Sequence, residues 1–354
     1  MSRAQLTSTV EQNTGGAVAP FVAGKNKIIN GDFYVNQRNF SSTTTSSVYM
    51  FDRWTQYLAD GTVTYSAQTF TPGTAPVAGY EGKNFIRCVT TGQTLTSAAA
   101  LLIQNIEDVR TLAGQTATIS FWAKAGSGTP KVAVEAYQSF GTGGSPSAAV
   151  STPAGAVTLT TSWARYSVTV AIPSISGKTL GTNNDPTLAL NLWTSAGTNF
   201  NTRASSIGIQ TTTIDIWGVQ IEAGSVATPF TTATGTLSGE LAACKYYFRR
   251  YGGNTLYESF GVGQAYAAGS VMMVFQFDTG MRTSPVGTYT AASNFRVLTS
   301  TYSGVTPTSI ASNSLTKTTA SILLTGASGL TAGNASGVEA NNSLSATIDF
   351  SAEL

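Results

Sequence analysis

The stretch Asp215-Ile216-Trp217-Gly218-Val219-Gln220-Ile221-Glu222-Ala223-Gly224 decides how the chain is read. Ile214 and Ile216 alternate with Asp215 and Trp217, the period of a strand with one face buried. After Gly218 the alternation resumes one step out of phase, with Val219 and Ile221 in the apolar positions. A glycine at such a phase change marks a β-bulge, where one extra residue enters the ladder. The segment therefore closes one β-domain as a bulged strand, followed by Ala227-Thr228-Pro229-Phe230 and then Cys244-Lys245-Tyr246-Tyr247-Phe248.

Upstream, runs of the same period recur between Gly, Pro, Ser and Asn clusters: Val63 to Phe70, Phe85 to Val89, Ala117 to Ala123, Val132 to Phe140, Tyr166 to Ile172 and Leu188 to Trp193. Short strands so spaced predict a β-sandwich. Their phase names the interior: Ile119, Phe121 and Ala123; Val132, Val134 and Ala136; Tyr166, Val168, Val170 and Ile172; Leu188, Leu190 and Leu192. Between Leu237 and Arg250 the spacing becomes three-and-four through Leu241, Cys244, Tyr247 and Phe248, predicting one short helix with Ser238 as N-cap. Strand signals return at Val271 to Phe277, Phe295 to Leu298, Ser321 to Leu324 and Ala346 to Phe350. The expected fold class is all-β: an N-terminal arm over 1–25, a jelly-roll-like β-sandwich over 26–235, a linking helix over 236–252, and a second, smaller β-domain over 253–354.

Composition narrows the chemistry. Among 354 residues only 10% are charged, against roughly 25% in an average soluble protein, while Ser and Thr make up roughly a quarter. The net charge of +2 supplies no footprint for phosphate backbones, so nucleic acid is not an expected partner. Histidine is absent, which removes the usual neutral-pH base, the Ser-His and Cys-His dyads and most zinc sites. Cys88 and Cys244 read as buried thiols rather than a disulfide. No apolar run approaches the roughly 20 residues of a membrane span, and residues 1–24 lack the pattern of a secretory signal. The expectation is a product made in the cytoplasm, not exported by a signal peptide and not inserted in a membrane.

The faces opposite the interior carry the candidate site. Trp122 shares its side with Ser120 and Lys124, Tyr137 with Glu135, and Trp193 with Asn191, so three strands each place one large aromatic on a polar face. Sugar rings stack an apolar face on such aromatics while polar neighbours take up the hydroxyls. Trp122, Lys124, Glu135, Tyr137, Asn191 and Trp193 are thus candidate glycan contacts; packing against a domain, a loop or another subunit is the alternative for the same aromatics. Trp54, Trp163 and Trp217 sit at strand edges or the bulge and read as packing residues. Hydrolysis needs two carboxyls about 5–10 Å apart; among 17 acidic residues the spacing singles out no pair, Glu107-Asp108 and Asp32 with Asp52 being two that can be drawn, and no enzyme, cofactor or metal site is expected. Asn30, Asp32 and Asp215 could face calcium, but an Asx turn explains Asn30-Gly31-Asp32 equally well. Lys245, Arg249 and Arg250 with their aromatic neighbours read as a helix wedged between β-domains, cations toward solvent.

Four blocks carry a family resemblance: Asn26-Lys27-Ile28-Ile29-Asn30-Gly31-Asp32-Phe33-Tyr34-Val35-Asn36-Gln37-Arg38; Phe51-Asp52-Arg53-Trp54; Ile119-Ser120-Phe121-Trp122-Ala123-Lys124-Ala125; and the Trp217 to Gly224 stretch. In order and separation they resemble the sandwich domain of bacteriophage tail-fibre and related virion appendage proteins, a domain itself similar to jelly-roll carbohydrate-binding modules. The segments Phe275-Gln276-Phe277-Asp278, Met281-Arg282-Thr283-Ser284-Pro285 and Ile348 to Leu354 are similar to the β-region that follows it in many such proteins. The resemblance implies a homotrimer on the virion, attached to other virion proteins through its N-terminal arm and adhering to host cell-surface polysaccharide. The chain departs from long receptor-binding fibres in having no heptad run and no β-helix period. A short fibre, a fibre tip, a head-decorating or tail-assembly component, and a polysaccharide depolymerase are the readings that stay open.

Overall fold

The structure, a computed structural model, describes residues 24–77, 80–299 and 303–354. Residues 1–23 of the expected arm lie outside the described residues. The chain separates into two compact units between Glu240 and Leu241. One helix, α1 (Leu237–Lys245), is the single α-helix among the described residues.

The first unit contains β1 (Ser42–Thr43), β2 (Trp54–Ala59), β3 (Thr62–Thr69), β4 (Asn84–Thr91), β5 (Ala99–Glu107), β6 (Thr116–Ala125), β7 (Lys131–Ser139), β8 (Val150–Thr158), β9 (Ala164–Ala171), β10 (Thr187–Ala196) and β11 (Thr212–Ala223). They form an antiparallel jelly-roll-like sandwich: a six-stranded sheet ordered β1-β3-β4-β11-β6-β9 and a five-stranded sheet ordered β2-β5-β10-β7-β8. The period-two reading holds where it was made. Ile119, Phe121, Val132, Val134, Leu188, Leu190 and Leu192 are all fully or almost fully buried in one cluster between the sheets. Tyr166 and Val168, on the edge strand β9, are only half-buried against it.

Gly218 is the bulge. It takes a φ of +63°, a conformation only glycine adopts freely, and the ladder between β11 and β6 slips between Trp217 and Gln220. A Cβ at Gly218 would lie 2.8 Å from the Trp122 ring. The bulge thus sets Trp217 beside Trp122 on the outer face while returning Ile221 to the interior opposite Ile119.

Four strands of this unit escaped the sequence pattern, the two-residue β1 among them. In β5, Ala100 and Leu102 face the main core while Ala99 and Leu101 face a second small cluster on the outside. With both faces covered the strand loses its alternation. β8 carries Pro153 and Gly155 opposite a register slip at the sheet edge, the setting in which proline is tolerated in a strand. β2, Trp54 to Ala59, alternates buried and part-exposed positions over only half its length.

The second unit contains β12 (Phe248–Gly252), β13 (Ser259–Ala267), β14 (Ser270–Gln276), β15 (Val286–Tyr289), β16 (Phe295–Leu298), β17 (Gly304–Val305), β18 (Ser309–Leu315), β19 (Thr319–Thr325), β20 (Ala335–Ala340) and β21 (Thr347–Ser351). A three-stranded sheet ordered β12-β21-β15 and a seven-stranded sheet ordered β17-β16-β20-β13-β14-β19-β18 contribute to one core that includes Phe275, Phe295, Ile322, Leu324, Ile348 and Phe350.

Two expectations about the helix are corrected. α1 stops at Lys245, and Phe248 to Gly252 is a strand whose backbone pairs with β21. Its N-cap is Thr236, whose Oγ1 accepts the Gly239 N–H at 3.1 Å; Ser238 lies inside the first turn. The basic cluster is also not free in solvent. Arg249 is buried and ion-paired with Asp278, which Lys245 reaches at 3.3 Å, and Arg250 pairs with Asp349 at 2.6 Å. Cys88 and Cys244 are both buried free thiols.

Candidate functional site

Alternation along a strand states which side a residue faces, but not which sheet the strand joins. The six candidate contacts divide on that point. Trp122 and Lys124 lie on β6 of the six-stranded sheet, whereas Glu135, Tyr137, Asn191 and Trp193 lie on β7 and β10 of the five-stranded sheet. They therefore occupy opposite outer faces of the sandwich, and the single surface expected from sequence does not exist.

The Trp122 face is closed. Trp122 is buried, its ring 5.5 Å from Trp217 and 6.0 Å from Phe230, with the Arg165 guanidinium 4.7 Å from its centroid. Phe70, Tyr80 and Phe230 also contact Trp217 edge-on or tilted. Lys124 lies 5.3 Å over the Trp163 ring and 3.7 Å from Asp215, whose carboxylate is held bidentately by Arg87 at 2.7 and 2.9 Å. Trp122, Trp217, Phe70 and Phe230 are continuous with the main hydrophobic cluster, with Tyr80 and Trp163 packed against it, and Trp122 and Lys124 leave the list of glycan contacts.

The opposite face is open. Ladder registers place Thr55, Ile103, Asn191 and Glu135 in one row across β2, β5, β10 and β7, with Tyr57, Leu101 and Trp193 in the adjacent row on one side and Asn105, Ala189 and Tyr137 on the other. The segment after β10 folds back over one end, bringing Phe200 to 5.2 Å from Trp193. The result is a groove of about 400 Å³ whose lining includes Tyr57, Ile103, Tyr137, Asn191, Phe200 and Arg203. At about 4.8 Å per strand, its walls on β2 and β7 stand roughly 14 Å apart.

Glu135 organises the groove from beneath. It is fully buried and accepts five hydrogen bonds: from Ser151 Oγ at 2.5 Å, Asn191 Nδ2 at 2.9 Å, Trp193 Nε1 at 2.9 Å, and Arg203 Nε and Nη2 at 2.7 and 3.1 Å. Burial alone would push its carboxyl up. The bonds from Arg203, Ser151, Asn191 and Trp193 outweigh burial and hold it below the usual carboxylate range, so it is an anion. The Arg203 guanidinium in turn lies 4.9 Å over Tyr137 and 5.2 Å over Trp193, each a favourable cation–π geometry.

This changes the roles assigned from sequence. Glu135 is wholly occupied as a positioning residue and has no surface to offer a ligand. Trp193, only 1% exposed, is covered by Phe200 and Arg203 and forms floor rather than stacking surface. Tyr137 and Asn191 remain at the groove as expected. Sequence reasoning missed Tyr57, Phe200, Arg203 and Asn105. Tyr57 is 42% exposed and lies at a two-residue spacing from Thr55, a signal that was present in β2; nothing in the sequence ties Arg203 to Glu135.

Of the carboxylates weighed for hydrolysis, Asp32 and Asp52 do not form an acid–base pair open to a ligand, while Glu107 and Asp108 line a surface hollow with Arg110, which lies 3.2 Å from Asp108. Asp52 is fully buried and accepts the Gln37 N–H and Nε2 at 2.6 and 2.8 Å. Asp32 lines a separate cavity of about 330 Å³ with Tyr34, Tyr80 and Glu240. Burial raises the Asp32 carboxyl, and the Tyr80 hydroxyl donates to it at 2.6 Å. Glu240 accepts the N–H groups of Asn30 and Thr234, each at 2.7 Å. Asn30 is an internal turn hub: Nδ2 donates to Val35 O and Oδ1 accepts the Val35 N–H, both at 2.8 Å.

No protein-family model matches the sequence, and no curated protein matches it at a significant level. Solved structures similar to part of the chain include a putative sugar binding protein from Bacteroides thetaiotaomicron, at 16% identity and a TM-score of 0.36, covering 56% of this chain and 100% of that one. A family 11 carbohydrate-binding module from Clostridium thermocellum is similar at 12% identity and a TM-score of 0.31, over 53% of this chain and 99% of its own. A xylan-binding domain from Paenibacillus barcinonensis is similar at 12% identity and a TM-score of 0.31, over 59% and 100%.

Proposed function

We propose that this chain is a non-catalytic adhesin that binds glycan in the groove on the five-stranded sheet. The observation that carries the proposal is the groove's make-up: Tyr57, Tyr137 and Phe200 present part-exposed aromatic rings around a floor of Leu101, Ile103 and Ala189, with Thr55, Asn105 and Asn191 among them. Apolar faces for ring stacking and uncharged groups for hydroxyls are what a sugar chain requires. No step of bond cleavage is included. The resemblance of the four sequence blocks to virion appendage proteins supports placing the adhesin on a phage particle as a short fibre or appendage, with host surface polysaccharide as its target and residues 1–25 as the attachment arm.

A glycan array probed with the purified protein tests the proposal. Binding is expected, and Tyr57→Ala and Tyr137→Ala are each expected to weaken it by about two- to tenfold, the value of one aromatic contact. No binding to any glycan, or unaltered binding in both variants, would refute it.

A structural role as a head-decorating or assembly component has one observation in its favour. In the second unit β13, β14, β18 and β19 are adjacent and carry no charged residue, and Val262, Tyr266 and Val274 are exposed by 71%, 67% and 50%. An uncharged sheet face of this kind suits packing against other copies in the proposed homotrimer. Light scattering of the wild type and of Val262→Lys/Val274→Lys distinguishes this: a trimer lost in the double variant supports the face, and a monomeric wild type opposes it.

A further inference from the structure

We infer that the groove selects uncharged glycan, because its floor presents a buried hydrogen-bond acceptor and its charges cancel. The inference rests on the glycan reading above and refines it.

The argument begins at Glu135. As an anion it can only accept hydrogen bonds, so the Asn191 amide must turn its Nδ2 toward Glu135, as observed at 2.9 Å. That orientation fixes where the other end points. Asn191 is 3% exposed and lines the groove, and its Oδ1 accepts no hydrogen bond among the described residues. A buried acceptor without a donor carries a desolvation cost that a ligand O–H or N–H relieves.

Charge points the same way. The charged side chains at the groove are Arg203, which lines it, and Glu135, which lies beneath and holds Arg203 bidentately. The pair is neutral as a unit, and the remaining lining residues are uncharged. A carboxylate, sulfate or phosphate brings acceptors only, which leaves Asn191 Oδ1 unpaired and sets like charge against Glu135. A hydroxyl or an N-acetyl N–H supplies the donor. Specificity of this kind comes from a buried polar group that the wrong ligand leaves unsatisfied.

The test is isothermal titration calorimetry with two sets of oligosaccharides of matched length: neutral glucan, xylan, mannan and galactan fragments, and oligogalacturonate and alginate fragments. The expected result is binding of at least one neutral probe with affinity unchanged within about twofold between low and high salt, and no binding of the uronates. Uronate binding that weakens with salt would overturn the inference while leaving a glycan groove in place. Absence of binding by every probe would overturn both. Asn191→Ser, which removes Oδ1 and keeps a small polar side chain, is expected to weaken the neutral probe by roughly tenfold. Near-ultraviolet circular dichroism of Trp193 checks that the floor is intact in that variant. An intact floor with less than a twofold loss would refute the assigned role of Asn191.

Discussion

Replacing Glu135 by Gln keeps the shape of the groove floor and removes its charge, and the cost can be followed atom by atom. The carboxylate meets donors on both oxygens: Ser151 and Arg203 Nε at Oε1, Asn191, Trp193 and Arg203 Nη2 at Oε2. An amide offers one acceptor, so its NH₂ must confront donors on one side. The milder choice is the Oε1 side, where the Ser151 hydroxyl can rotate to accept but Arg203 Nε is left facing N–H. One charge-assisted hydrogen bond lost is worth about 1.5–3 kcal/mol. Breaking a fully buried ion pair costs about 3–5 kcal/mol, but the Arg203 side chain is 34% exposed and rehydrates, which favours the lower figure. The expected destabilisation is about 2–3 kcal/mol, a fall in Tm of about 4–12 °C for a unit of this size. Urea unfolding monitored by tryptophan fluorescence, with calorimetry beside it, measures it. Because the folded-state pKa of Glu135 lies below its unfolded value, its contribution is complete above the ordinary glutamate range and disappears as pH falls through the folded pKa. The difference between wild type and variant should therefore shrink in acid. A loss under about 1 kcal/mol at neutral pH, or an Arg203→Gln effect that is the same in both backgrounds, would refute the account.

Three further outcomes follow from the same geometry. Trp122→Ala should cost about 3–5 kcal/mol by leaving a cavity beside Trp217 and Phe230 yet leave glycan affinity of the folded protein unchanged; an affinity loss measured by calorimetry would return Trp122 to the binding surface. Gly218→Ala, which puts a Cβ 2.8 Å from the Trp122 ring at a φ of +63°, should cost about 2–4 kcal/mol in urea unfolding, and a neutral effect would show that the bulge does not constrain the sheet. Asp32 has its folded-state pKa raised, chiefly by burial, so its ionisation opposes folding: the penalty is absent below the unfolded value and grows as pH rises through the folded one. Stability of Asp32→Asn relative to wild type should accordingly increase as pH rises from the ordinary aspartate value of about 4 and level off above the raised folded-state pKa, and a flat difference would contradict the burial of that carboxyl.

Much of the sandwich was legible because polar residues alternate with apolar ones along its strands even where both faces are buried, as Ser120 on β6 and Asn191 on β10 do. Phe121, Val134 and Leu190 are buried as their phase required. Where apolar residues occupy both faces the alternation vanishes, which is why β5, with Leu102 inside and Leu101 beneath the folded-back segment, passed unnoticed. The candidate site was half legible for a different reason. Period two separates inner from outer residues, but β6 enters one sheet while β7 and β10 enter the other, an outcome decided by pairing between segments distant in the chain. Covering segments are equally silent: Phe230 closes over Trp122, and Arg203 reaches Glu135 from 68 positions away. The helix was overextended because Tyr247 and Phe248 fit its spacing, whereas Phe248 to Gly252 pair with β21 instead.

The strand quoted at the outset has a consequence for biosynthesis. β11 lies between β4 and β6, so a ribosome must deliver more than two hundred residues before the six-stranded sheet can close. Until then two long edges stand unpaired, a state prone to mispairing with other nascent chains. The second unit repeats the arrangement, with β21 seated between β12 and β15. Refolding from denaturant should be slow and concentration-sensitive as a result, and yield in an expression host should depend on holdase chaperones more than on the modest size of either unit.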